Sequence, residues 1–150
     1  MSAPAVNFAD EWALRRLVQQ YAQAVDRNDP ELLVSLFLED AVLEGPGFRL
    51  EGHEQIRATP GRLAQQFRGT MHCVFNQTVA IEGDGARGET YCIAYHRIDG
   101  QDGRPMTLDW AIRYQDRFAR RGQEWRIAHR RLVLEWTRTS PVELPPTPAP

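Results

Sequence analysis

From Met71 onward the chain changes period. Four long runs, MHCVFNQTVAIEG, RGETYCIAYHRID, RPMTLDWAIRYQDRFAR and EWRIAHRRLVLEWTR, are rich in β-branched and aromatic residues. The segments between them, GDGA, DGQDG and RRGQ, carry turn chemistry. Strands joined by connections this short pair antiparallel with their neighbours, because a parallel pair needs a crossover of a dozen residues or more. The second half is therefore committed to a sheet, and one face of that sheet needs a cover.

The first half supplies it. Leu14, Leu17, Val18, Tyr21 and Val25 recur at helical spacing, which predicts an amphipathic helix from about Asp10 to Arg27. Asp10 and Glu11 suit its first turn, where negative charge meets the positive end of the helix. Asn28 can take a left-handed conformation at the stop, and Asp29–Pro30 reads as an N-cap and first-turn proline opening a second helix through Leu38. AVLEGPGFRLEG then reads as two short strands about a Gly-Pro-Gly turn. A third helical segment runs from about His53 to Phe67, broken or kinked at Pro60–Gly61 and ended by Gly69. Three helical segments followed by long antiparallel strands define an α+β plan, with helices packed on one face of a sheet.

A chain of 150 residues is expected to form one domain with a sizeable core. We place that domain at residues 1–139. Residues 140–150, SPVELPPTPAP, hold five of the ten prolines and read as an extended tail. A formal net charge of -2 gives no electrostatic reason to expect nucleic acid or an anionic membrane as partner. No apolar run reaches the roughly 18 residues of a membrane span, and MSAPAVNFADEW shows no secretory pattern. Cys73 and Cys92 both fall within strand-like runs and read as reduced core residues, so a cytoplasmic location is expected. The histidines show no metal-ligand spacing.

Four places could carry chemistry. Asp26 lies at the edge of the apolar stripe of the first helix, five residues after Tyr21. It is either a boundary carboxylate or half of a catalytic pair. His72 opens the first long strand, sharing its face by alternation with Val74, Asn76, Thr78 and Ala80, while Met71, Cys73, Phe75, Val79 and Ile81 fall mostly on the other. That face fits a polar-dotted pocket wall or a half-exposed sheet surface. His96 shares parity with Thr90, Cys92 and Ala94. Arg130 shares parity with Arg126, Ala128, Leu132 and Leu134, and an arginine among buried neighbours needs a partner: a bound anion, or a structural carboxylate such as Asp109 or Asp116.

The ordered set YAQAVDRND, MHCVFNQTVAIEGDGARGETY and RYQDRFARRGQEWRIAHRRLVLEW resembles the SnoaL-like branch of the nuclear transport factor 2-like superfamily, over about residues 8 to 138. The resemblance implies a cone in which a curved, mostly antiparallel sheet wraps around helices and encloses an apolar pocket. Scytalone dehydratase, bile acid dehydratase and hexachlorocyclohexane dehydrochlorinase, within that superfamily, use an Asp-His pair there with neither metal nor organic cofactor. Asp26 and His72 fall on those positions. Tyr21 matches a polar pocket position and Arg130 a pocket arginine, and both join Asp26 and His72 as expected catalytic groups, Tyr21 as donor to a leaving hydroxyl or enolate and Arg130 as stabiliser of negative charge; His96 lies near a second histidine. The resemblance thus implies a small-molecule lyase, acting by dehydration or by a related isomerisation or cyclisation on a polycyclic, aromatic or steroid-like substrate. Trp12, Phe48, Phe67, Trp110 and His96 are the expected substrate contacts. The same superfamily holds binding modules and small subunits of ring-hydroxylating dioxygenases, so a pocket without chemistry is the alternative. An apolar second sheet face, carrying Met71, Cys73, Phe75 and the tryptophans of the last strands, leads us to expect a homodimer or homotrimer.

Overall fold

A computed structural model describes residues 7–146. Helix α1 spans Phe8–Asp26, with the Asn7 side chain accepting from the Asp10 backbone N–H. Its buried stripe includes Leu14, Leu17, Val18, Tyr21 and Val25. Asn28 takes the left-handed φ of 52° anticipated at the stop. Asp29 then caps α2, Pro30–Ser35, by accepting from Leu32 N at 2.9 Å.

Helix α2 ends earlier than Leu38 because the sheet claims the chain. The Leu36 carbonyl accepts from Ile127 N at 2.8 Å, and Phe37 begins strand β1, Phe37–Gly45. Strand β2, Phe48–Glu51, returns antiparallel across Pro46–Gly47, with Gly47 at φ 78°. The third helical segment is two helices, α3 (Gly52–Arg57) and α4 (Thr59–Gln66). The break falls at Ala58, and Pro60 sits in the first turn of α4, where a missing N–H leaves no helical bond unmade. Pro60 therefore starts a helix, and β3 already begins at Gly69.

Strands β3 (Gly69–Glu82), β4 (Gly85–Asp99), β5 (Pro105–Arg121) and β6 (Glu124–Pro141) form the antiparallel meander. The six strands make one curved open sheet in the order β2-β1-β6-β5-β4-β3, with β1 and β6 as its parallel pair. Pairing of β5 with β6 continues to Met106↔Pro141, so the first residues of the expected tail belong to the sheet. Beyond Val142, whose N–H donates to Pro105 O at 3.1 Å, no regular structure follows to residue 146. Residues 147–150 of that tail lie outside the described residues.

Bulges correct two parity assignments. The β3–β4 register shifts between Val74 and Gln77. One extra residue reverses every later side chain, so Val79 and Ile81 join His72 and Val74 on the core side while Asn76, Thr78 and Ala80 are exposed. A shift between Arg117 and Phe118 on the β5–β6 ladder does the same in β6: Trp125 and Ile127 face inward before it, and Arg130 after it. Arg126 and Ala128 therefore do not share the Arg130 face.

The core lies between α1 and the inner face of β4 to β6, where Leu14, Val18, Tyr114, Phe118 and Ile127 are at most 3% exposed. Each of the aliphatic and phenylalanine side chains among them contributes roughly 1.5–3 kcal/mol on removal from water. One end is locked by Asp10, which accepts from Trp125 Nε1 at 2.8 Å and takes both carboxylate oxygens to Arg120 Nη1 at 3.0 Å. Cys73 and Cys92 are free thiols on neighbouring strands. Among the described residues, no helix is long and apolar enough to cross a membrane.

Candidate active site

Asp26 is the last residue of α1, at the end where the helix dipole disfavours negative charge. Strand β3 supplies the compensation. Thr70 Oγ1 donates to Asp26 Oδ1 at 2.8 Å, the His72 backbone N–H donates to Oδ2 at 2.8 Å, and His72 Nδ1 lies 2.6 Å from Oδ1. Burial raises the Asp26 pKa, but the hydrogen bonds from His72 and Thr70 and the charge of the ring outweigh it, and the carboxyl is held below its ordinary value. An ionised carboxylate can only accept, so His72 Nδ1 carries the proton in this contact, and in the neutral form of the ring Nε2 keeps a lone pair. The ring is almost closed to solvent, with 7% of the side chain exposed.

His72 forms part of the wall of a cavity of about 360 Å³ between α4, the β1–β2 turn and the inner faces of β3 to β6. That volume falls within the range of small-molecule sites, about 300–1,000 Å³. The interior is lined by Leu43, Leu50, Ala94, Trp110, Ile112 and Leu132, with Phe48 and Phe67. His96 completes it, 6.0 Å from His72 between ring centroids and set between Phe67 at 4.4 Å and Trp110 at 5.2 Å. His96 Nδ1 meets the Leu108 carbonyl at 3.0 Å, which fixes the proton on Nδ1 and leaves a second lone pair at Nε2. Burial, helped by the neighbouring His72 charge, lowers the His96 pKa against the opposing carbonyl and carboxylates, so this ring stays neutral.

Tyr21 also lines the cavity, and burial pushes its phenol up to about 12 against the opposing pull of Arg130. It is therefore a hydrogen-bond donor at neutral pH. Of the expected substrate contacts, Phe48, Phe67, Trp110 and His96 line the cavity. Two expected site residues do not. Trp12 is 59% exposed on the outer side of α1. Residues two apart on a helix point about 200° apart, so burying Asp10 against Trp125 turns Trp12 outward. Arg130 is fully buried behind the cavity wall, bidentate to Asp116 at 2.8 and 2.7 Å, with its guanidinium 4.2 Å from the ring centres of both Tyr21 and Tyr114. Burial works against the Arg130 charge, but the Asp116 carboxylate outweighs it and keeps the guanidinium protonated. The expected catalytic role of Arg130 gives way to the alternative, a structural ion pair with Asp116.

Sequence reasoning missed Thr70, although it shares strand parity with His72. It also missed the polar face of α4. Thr59, Arg62, Leu63 and Gln66 line the cavity at spacings of i, i+3, i+4 and i+7, a legible helical pattern hidden by the uncertain helix start.

The SnoaL-like domain pattern matches residues 7–131. The chain belongs to the SnoaL-like family. This SnoaL-like protein resembles a candidate scytalone dehydratase from Novosphingobium aromaticivorans at 26% identity and a TM-score of 0.76, covering 93% of this chain and 91% of that one. A candidate aromatic ring hydroxylase from the same organism is 27% identical, with a TM-score of 0.75 and coverage of 91% and 96%. The hexachlorocyclohexane dehydrochlorinase LinA-type3 from Novosphingobium barchaimii shares the fold at 17% identity and a TM-score of 0.78, with coverage of 92% and 96%. No functionally curated protein matches the chain.

Proposed function

We propose that this SnoaL-like protein is a lyase that eliminates water from a small hydroxylated substrate by acid–base chemistry between His72 and Asp26. The observation that carries the reading is the 2.6 Å contact between Asp26 Oδ1 and His72 Nδ1 at the wall of an apolar cavity. His72 Nε2 takes the proton from a carbon beside a carbonyl. The C–H electrons form the new double bond, and the departing hydroxyl leaves as water with the proton returned by the imidazolium. Asp26 stabilises that imidazolium and holds the ring orientation. Tyr21, kept protonated by burial, donates to the developing enolate or the leaving oxygen. His96 Nε2 accepts from a substrate hydroxyl and so selects its orientation. The apolar wall suits an aromatic or polycyclic body, and isomerisation or cyclisation through the same enolate uses the same groups. Dehydratase and dehydrochlorinase relatives support an elimination.

The test is a panel of β-hydroxy aromatic and polycyclic ketones. It is followed by the ultraviolet band of the conjugated product and by deuterium exchange at the α-carbon. Activity that disappears in both His72→Ala and Asp26→Asn sustains the reading; activity unchanged in both removes it.

A second reading, a pocket-bearing subunit without chemistry of its own, rests on the exposed apolar side chains of the sheet. Met71, Phe75 and Trp136 are exposed on the sheet and would be covered by another chain. A stable homodimer or homotrimer purified without a large partner favours the enzyme; an aggregating chain rescued by a partner favours the subunit.

A further inference from the structure

The cavity is electrostatically one-sided. Among its lining residues Arg62 is the one permanent charge, and no carboxylate lines the wall, Asp26 standing behind His72. Arg62 stands on α4 beside Gln66 and across from Pro46, and these three are the exposed members of the lining. Among the described residues the Arg62 guanidinium makes no hydrogen bond or ion pair, while its backbone N–H donates to Ala58 O at the start of α4.

A second polar group points the same way. Thr59 Oγ1, one helical turn before Arg62 and also on the cavity wall, is sealed from solvent and has no hydrogen-bond partner among the described residues. A buried hydroxyl left unpaired is costly unless something else satisfies it. Guanidinium, hydroxyl and the Gln66 amide thus form a donor-bearing stripe along one helix face, opposite an apolar wall. The interior offers the reverse, two imidazole lone pairs that accept.

We propose that the substrate is an amphipathic acid whose carboxylate binds Arg62 and Thr59 at the cavity rim while its apolar, hydroxyl-bearing body reaches His72 and His96. This deepens the elimination reading by naming the substrate class. Arg62 is a specificity determinant, distant from the bond that breaks, and its planar fork suits a carboxylate better than a lysine would.

Binding tests the assignment without requiring turnover. 2-Naphthoate and 2-naphthamide have nearly the same shape and differ in charge, and Trp110 in the wall reports their entry by fluorescence. The protein should bind naphthoate at least about tenfold more tightly, a factor corresponding to roughly 1.4 kcal/mol. Arg62→Gln should erase that preference and leave naphthamide affinity unchanged, Arg62→Lys should restore part of it, and Thr59→Val should reduce it. His72→Ala and Asp26→Asn should abolish turnover and retain the preference, which separates failure of the elimination reading from failure of this one. Equal affinities, binding of neither probe, or a preference that survives Arg62→Gln overturns the assignment.

Discussion

Asp26 and His72 are joined twice: one carboxylate oxygen meets the ring Nδ1 at 2.6 Å and the other takes the backbone N–H of the same residue at 2.8 Å. The backbone bond fixes where β3 lies against the end of α1, so the ring contact is set by the fold and not by a flexible side chain alone. Asp26→Asn removes the charge that steadies an imidazolium while keeping the shape. Under the proposed chemistry kcat should fall by about 10²–10⁴-fold with KM little changed. The variant should still unfold cooperatively, less stable by about 1–3 kcal/mol for the impaired hydrogen bonds. Because the native carboxyl is held below its ordinary pKa, its contribution is present at neutral pH and lost as acid protonates it. The stability gap between parent and variant should therefore close at low pH, which urea melts across the acid range will show.

Arg130 and Asp116 are both fully buried, and the guanidinium Nη1 has no partner among the described residues. Removing one member strands the other charge in a medium that cannot solvate it. Asp116→Ala should cost about 3–5 kcal/mol, while Arg130→Met combined with Asp116→Leu should recover much of that loss. If Arg130 serves the fold and not the substrate, the double variant retains naphthoate binding. Equilibrium unfolding and the fluorescence titration read the two properties separately.

How much of this was legible in the sequence follows from range. Helix α1, the Asp29 cap and the four-strand meander come from local periodicity and turn chemistry, which a single chain states openly. Asp26, His72, Tyr21 and His96 came from resemblance, since spacing alone left Asp26 between a boundary acid and a catalytic one, whereas Thr70 and the polar face of α4 came only from the structure. What stayed hidden was non-local. The bulge after Val74 depends on how β3 pairs with β4, and it decides that Val79, not Thr78, faces inward. Trp12 looked like a pocket aromatic until Asp10 was tied to Trp125, a contact spanning most of the chain.

That contact is itself open to test. Asp10 accepts from Trp125 Nε1, from Arg120 and from the Asn7 side chain, with Arg120 stacked 4.8 Å over the indole. Asp10→Ala leaves a buried indole N–H unsatisfied, and the expected loss is about 1–3 kcal/mol. Asp10→Asn keeps an acceptor for the indole and should cost less. The order of the two melting temperatures checks the argument, and neither change should alter the cavity's naphthoate preference.

His96 gives the protein a pH response that its neighbours define. The ring is 3% exposed, packed between Phe67 and Trp110, with Leu108 O on one nitrogen and His72, Asp26 and Asp109 as the charged or titratable groups around it. Burial lowers its pKa from the ordinary 6.5, so in the folded state it resists a proton that the unfolded ring accepts. The unfolded chain then binds more protons below that pH, and stability falls as pH falls through the window between the ordinary and the native value. Melting temperature should drop from about pH 7.5 to about pH 5.5, and more steeply in the parent than in His96→Phe, which cannot titrate. At the upper pH the phenylalanine variant should be the less stable, because the Leu108 carbonyl loses its donor. The two curves should converge on acidification; parallel curves would assign the pH response to some other group.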